Sequence, residues 1–423
     1  MRISTGLYKA FLRVEENWGV LKSDYTTNST LLFVSGANID LKFNKEEDTA
    51  ILGSAFSNGY ITVNKKVEGS FNFTGHPENL NLLFALHFGK IISTTNAVDG
   101  SLCIFYKGNN ESCKIQKTGN NLILKSGNEG NEVVDLEIDL TVNDTLSKIK
   151  NTIQSNTNDY LVYTMGNTNN TINISDFSMQ TKSKSFNSQT CKIDNLLAVG
   201  YRHKIGTLKV GEDKKSFSFI QAIGSNWEAF TGLKAGQFTL DIPNGGLITG
   251  TSNVLGKEKI NVNAVTSYFK ETTKPIASAF VKVYANGELL GYNNVSFDYN
   301  PNLFAEVEGG SFFQGESQHG KKSQFSINIT YHFDDVITQK IKQKFEQDEV
   351  VEVCVVIDSN DKVLTNVNYS TFFRFSKCAI SECKLDMGGE VFNLPTKFEV
   401  LEPDTSFRPV EVDVLSVKQD LLS

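Results

Sequence analysis

"SFNFTGHPENLNLLFALHFG", residues 70–89, changes its period halfway along. Phe71 and Phe73 alternate with Asn72 and Thr74, as in a strand with one buried face. Leu80, Leu83, Phe84, His87 and Phe88 then recur at helical spacing. Pro77 suits the first helical position, and Glu78 faces the positive end of the helix. The stretch predicts a strand, a tight corner at 75–77 and an amphipathic helix of about three turns.

The pattern returns at 324–346, "QFSINITYHFDDVITQKIKQKFE". Ile327 and Ile329 stand where Phe71 and Phe73 stood, Thr330 and His332 match Thr74 and His76, and Asp334 matches Glu78. Val336, Ile337, Ile341 and Phe345 form the second apolar stripe, with Asp334 and Asp335 as caps. Residues 235–258 and 380–403 make a second matched pair. Each holds an alternating strand ending Leu240-Asp241-Ile242 or Leu385-Asp386-Met387, then a glycine turn at Gly245-Gly246 or Gly388-Gly389, then another strand. Further strands begin near Ser216 and Val350.

The front of each unit also corresponds: strands flank a long connection, about 44–65 in one and 300–322 in the other. Lys45, Glu46, Glu47 and Asp48 in the first, and Glu306, Glu308, Gln314 and Glu316 in the second, are candidates for contacts between subunits and between rings; a disordered surface loop is the plainer reading. Features matched in one order imply internal duplication. The first copy is interrupted by a segment with no counterpart in the second. "EVVDLEIDL" from Glu132 reads as a strand, "TVNDTLSKIKNTIQ" as a helix with Asp144 as N-cap candidate and Leu146, Ile149 and Ile153 inside, and "DYLVYTMG" as a strand. The expected organisation is mainly β: a first unit at 1–95 and 211–270, a small α+β insert at 96–210, and a second unit at 271–423.

The 423 residues are 39% hydrophobic and 11% aromatic, rich enough for packed domains rather than disorder. No stretch approaches the roughly 18 apolar residues of a membrane span, and "MRISTGLYKAFLRVEENWGV" has no signal-peptide h-region. The six cysteines show no metal-like spacing and are expected to be free thiols; Cys378 and Cys383, five apart, should fall on opposite faces of a regular strand. The five histidines form no HExxH and no cluster with Cys or carboxylates; His76 and His332 are expected to help cap their helices. "PNGGLITGTSNVLGK" lacks the phosphate-loop signature, because Lys257 precedes Glu258. A net charge of −7 without a basic patch argues against a nucleic-acid reader. No catalytic constellation, cofactor or metal is expected.

"KKVEGSFNFTGHPENLNLLFALHFG", "SFSFIQAIGSNWEAFTGLKAGQFTLDIPNGGLITGTSNVLGKE" and the closing "SFRPVEVDVLS" resemble the tail tube proteins of tailed bacteriophages. The resemblance covers most of the chain outside about 95–210 and rests on a fold signature rather than a catalytic motif. It implies a β-sandwich or small barrel flanked by one helix, a long loop or hairpin reaching to neighbours, and six-fold rings stacked around a channel for the genome. Two units per chain imply three chains per ring, a pseudo-hexamer. The implied partners are further copies of the chain, the terminator, the baseplate or tip, the tape measure and, in a contractile tail, the sheath. DNA would pass through the lumen without specific binding. The implied location is the virion tail, after synthesis in the host cytoplasm, with no membrane association. The insert resembles domains that decorate tube exteriors, and "DLTVNDTLSKIKNTIQ" resembles a flagellar hook-associated motif. Another tail component, such as a terminator or baseplate hub, or a β-rich surface adhesin, fits the same residues less well.

Overall fold

Alternating apolar residues build most of the chain into strands. The computed structural model describes residues 8–47, 59–98, 101–106, 108, 110, 112–128, 130–165, 182–185, 193–194, 199–209, 212–285, 288–305, 313, 315–319, 322–332, 335–364, 367–387, 392–403 and 408–422. The first unit opens with β1 (Tyr8–Val14), β2 (Ser29–Leu32), β3 (Val34–Glu47), β4 (Tyr60–Thr74), α1 (Pro77–Phe88) and β5 (Gly89–Val98). The insert contains β6 (Ser101–Tyr106), β7 (Ser112–Thr118), β8 (Asn121–Gly127), β9 (Val133–Asp139), α2 (Leu146–Asn156) and β10 (Tyr160–Met165). The unit resumes with β11 (Val199–Thr207), β12 (Phe217–Ile223), β13 (Asn226–Pro243), β14 (Thr249–Gly256) and β15 (Glu258–Asn261). The second unit follows as β16 (Val281–Ala285), β17 (Glu288–Leu290), β18 (Tyr292–Asn300), β19 (Gln324–His332), α3 (Asp335–Glu346), β20 (Val350–Leu364), β21 (Val367–Cys383), β22 (Asn393–Val400) and β23 (Val410–Ser416).

The two units share one pairing scheme. In the first, β3 pairs β4, β4 pairs β14, β14 pairs the end of β13, β12 pairs its beginning, and β1 bridges β12 to β2. The second repeats this with β18, β19, β22, β21, β20, β16 and β17. Registers coincide too: Thr231 faces Glu258 on β15 as Arg374 faces Glu411 on β23. The Leu-Asp match is displaced, however. Leu240 faces Gly250 beside Phe73, and Cys383 faces Thr396 beside Ile329. Leu240 therefore corresponds to Cys383, not to Leu385, which lies beyond the end of β21.

The helices differ more than their sequences suggested. α1 is buried along its whole length, so it is not the amphipathic helix that its spacing predicted. It lies between β13 on one side and β5, β11 and β23 on the other. Its polar residues are satisfied from distant segments. Glu78 N and Asn79 N donate to the Glu271 carboxylate at 2.7 and 2.9 Å, so a residue of the linker between the units caps the helix. The Glu78 carboxylate instead accepts from Ser416 Oγ and Val417 N, and burial pushes its pKa up. Asn81 Nδ2 donates to Leu415 O. His87 Nδ1 donates to Gly236 O and Nε2 accepts from Ser252 Oγ; burial, then nearby Lys214, keeps this imidazole neutral. His76 makes no side-chain cap; its Nδ1 donates to Thr273 O and its ring stacks on Phe33. Gly89 ends the helix at φ 85°, a left-handed conformation suited to glycine. α3, by contrast, buries Ile341 and exposes Phe345.

The insert hangs on a two-stranded stem. β5 and β11 pair from Gly89 and Thr207 to Val98 and Val199, and β11 also pairs β23. The stem thereby extends the second unit's outer sheet, β20–β21–β23, and an insert boundary at 95 falls inside β5. Charges fasten the joint: Arg202 meets Asp413 at 3.0 Å, Lys204 meets Glu411 at 3.3 Å, and Glu212 meets both Arg408 and Lys90. Beyond the stem, the module has its own core, with Ile149 and Ile153 of α2 against Ile115, Leu124 and Tyr160. Thr145, not Asp144, caps α2 by accepting from Lys148 N; Asp144 pairs with the Lys148 ammonium.

Two expectations follow. Val98 and Val199 face each other across the stem, so replacing 99–198 with an Asn-Gly turn should leave a folded protein. Deleting 90–206 instead uncovers α1 and should abolish folding; circular dichroism and thermal melts separate the two. The second expectation concerns Glu212, whose hydrogen bond to Arg408 and the nearby Lys90 hold its carboxyl down to about 2. Its contribution is present above the unfolded value and fades as pH falls toward 2. Glu212→Gln should therefore lower the melting temperature modestly at pH 7, because the pair is partly exposed, and the difference should vanish near pH 2.

Four described cysteines, Cys113, Cys354, Cys378 and Cys383, form no disulfide. Cys378 and Cys383 share the apolar face, because a bulge between Ile380 and Glu382 resets the alternation.

Candidate functional site

Eight antiparallel strands run side by side through both units, in the order β3–β4–β14–β13–β18–β19–β22–β21. The seam between the units is the ladder β13·β18, which sets Phe238 opposite Tyr299, Leu240 opposite Phe297 and Ile242 opposite Val295. One face of this sheet is apolar and covered. Phe71, Phe73, Phe238, Leu240, Phe297, Ile327, Ile329 and Phe398 are buried there beneath the helices.

The other face is a field of hydroxyls and amides: Ser70, Asn72, Thr251, Asn253, Gln237, Thr239, Asn294, Ser296, Ser326 and Asn328 alternate with the buried residues. They bond across strands. Thr251 Oγ1 donates to Asn72 Oδ1 at 2.9 Å, and Gln237 Nε2 donates to Asp298 Oδ1 at 2.9 Å across the seam. Two lysines on this face have acidic partners: Lys66 with Glu68 at 2.6 Å and Lys397 with Glu399 at 2.8 Å. Carboxylates stand on the same face, among them Asp40, Asp241 and Asp298.

Among the described residues both lateral borders of the sheet are open. β3 pairs only with β4, and Ile380–Cys383 of β21 pair only with β22 among the described residues. Half-buried apolar side chains stand at each border: Val34, Ala37 and Leu41 at one, Cys383 and Leu385 at the other. Open edges with apolar residues are pairing surfaces unless they are covered.

The two ends of the strands also carry apolar groups. β3 and β4 form a long hairpin arm, paired out to Glu47 and Tyr60, with Phe43, Tyr60 and Ile61 exposed. At the opposite end Leu247, Met387 and Phe392 are exposed.

The residues singled out from sequence distribute as follows. Leu80, Leu83, Phe84 and Phe88 are buried in α1, and Ile341 is buried in α3. Val336 and Ile337 lie in α3. Gly245, at φ 69°, and Gly246 turn β13 into β14; Gly388 and Gly389 lie outside the described residues. Lys45, Glu46 and Glu47 are not in a loop but in the β3 ladder, opposite Thr62, Ile61 and Tyr60. Asp48, Glu306, Glu308 and Gln314 are outside the described residues. Glu316 is engaged within the chain: buried Lys234 meets its carboxylate at 2.7 Å and donates to Ser317 O. The second unit's loop is thus tied to the first unit's β13. Phe313 of the same loop faces Lys65, which also lies over Phe43. Sequence reading missed Lys234, Ala37 and Cys383; no local pattern marks a strand border.

No group of His, Cys, Asp or Glu among the described residues could hold a metal, and no described helix is long and apolar enough to cross a membrane. The family model described as phage tail tube protein matches residues 9–407. A search of curated proteins finds no match.

Proposed function

The chain belongs to the phage tail tube protein family, and from this we propose that three copies close into a ring whose inner wall is the eight-stranded sheet. The protein is a structural component of the tail, and its family implies association with itself and with other tail proteins. The observation that carries the proposal is the continuous sheet. Its two halves are equivalent, one face is sealed by helices and the other is polar, and both borders are open.

A unit with a free border on each side repeats head to tail until it closes. Three chains would contribute roughly 24 strands, which at a spacing of about 4.8 Å enclose a bore on the order of 40 Å between backbones. A double helix fits inside that width with side chains in place. The hydroxyl and amide face lines the bore, and the net charge of −7 keeps phosphates sliding rather than bound. The arm, with Phe43, Tyr60 and Ile61, reaches from one ring toward the exposed Leu247, Met387 and Phe392 of the next. The insert leaves from the outer sheet, on the side away from the bore, and decorates the exterior.

Negative-stain class averages of the purified protein test this reading. Hollow tubes, three chains per ring and three outward knobs are expected. Solid fibres, or a protein that stays monomeric at high concentration, would overturn it.

A further inference from the structure

The seam inside one chain is a template for the seam between chains. Resting on the ring reading above, we infer that residues 380–385 pair antiparallel with residues 34–39 of a second copy, with Cys383 opposite Ala37 of that copy.

The argument is one of register. Phe297 pairs with Ile327, and Ala37 pairs with Phe71, the counterpart of Ile327, so Ala37 is the first unit's equivalent of Phe297. By the same ladders Ile39 is equivalent to Tyr299 and Val34 to Val295. On the other border Cys383 is equivalent to Leu240, and Ile380 to Phe238, since each faces the matching residue of the strand between. Within the chain Leu240 faces Phe297 and Phe238 faces Tyr299. Transferring those pairs sets Cys383 against Ala37, Ile380 against Ile39 and Leu385 against Val34. Each transferred residue is apolar and on the core side of its border, so the contact buries like against like. A shift by one residue would turn one border's apolar set to the polar face. The partners are also matched in bulk: large Leu240 meets Phe297 inside the chain, and small Cys383 meets Ala37 between chains, which makes the second seam the less tightly packed of the two.

The test is covalent capture in the full-length protein. Ala37→Cys, assembled and treated with a mild oxidant or a short bis-maleimide, should give dimers and closed trimers on a non-reducing gel. Capture should be at least about tenfold faster than for Asn38→Cys, whose side chain points to the opposite face. Ala37→Cys with Cys383→Ala should give none. As a second measurement, Cys383 of the unsubstituted protein, followed by mass spectrometry, should alkylate at least about tenfold more slowly in tubes than in dispersed chains, as expected of a thiol covered by a strand. Tubes that form without capture at position 37, or with Cys383 still reactive, overturn this register and leave the ring reading standing. A protein that forms no hollow assembly overturns both.

Discussion

Phe84→Asp should abolish folding, and Phe84→Ala should cost about 3–5 kcal/mol, the usual range for removing a fully buried ring. Phe84 has no exposed surface, and its ring meets those of Phe88, Phe238 and Phe373 at 5.0–5.9 Å. Those partners come from the helix itself, from the first unit's sheet and from the second unit, so one side chain fastens all three. An aspartate there would sit charged and unpaired in the centre of the core. Phe345→Asp is the contrast. Phe345 is 37% exposed on α3, so its replacement should cost only about 1–2 kcal/mol, in proportion to its partial burial. Ile341→Asp belongs with Phe84, because Ile341 is buried. Urea midpoints read by circular dichroism would rank the three. A stably folded Phe84→Asp protein would remove α1 from the centre of the packing described here.

Arg374→Met should cost about 3–5 kcal/mol, the cost of leaving a buried charge without its partner. Arg374 is buried on β21; its Nε donates to Glu352 on β20 at 2.7 Å, and its guanidinium lies 3.9 Å from Glu411 on β23. Removing it takes the guanidinium away from the buried Glu352 carboxyl. Arg374→Met with Glu352→Leu should recover most of the loss, since Glu411 keeps Lys204 at 3.3 Å. A double-mutant cycle on urea midpoints isolates the coupling. Equal losses in the single and double variants would show that packing volume, not charge, is what Arg374 contributes.

How far the sequence could be read depends on whether a residue's neighbours lie near it in the chain. Phe71 and Phe73, then Ile327 and Ile329, revealed the duplicated strands because alternation is local. The complete burial of α1 could not be read. Asn79 and Asn81 look like a solvated side, but their partners are Glu271 and Leu415, far away in the chain. The outer part of the β3–β4 arm is exposed on both sides, so no apolar alternation marks it as strand. The Leu-Asp match slipped because bulges differ between β13 and β21, and a repeated dipeptide carries no information about them. The open borders emerge only once every ladder has been assigned.

The β13·β18 seam has one more consequence. It joins two equivalent units through a covalent linker, so that contact forms at a fixed high effective concentration and sacrifices no free translation. In the proposed ring, every second joint would be prepaid in this way. Closure would then be third order in chains where separate units would need sixth. Fusing the genes of such units would thereby lower the concentration at which nucleation begins, even if no single interface became stronger.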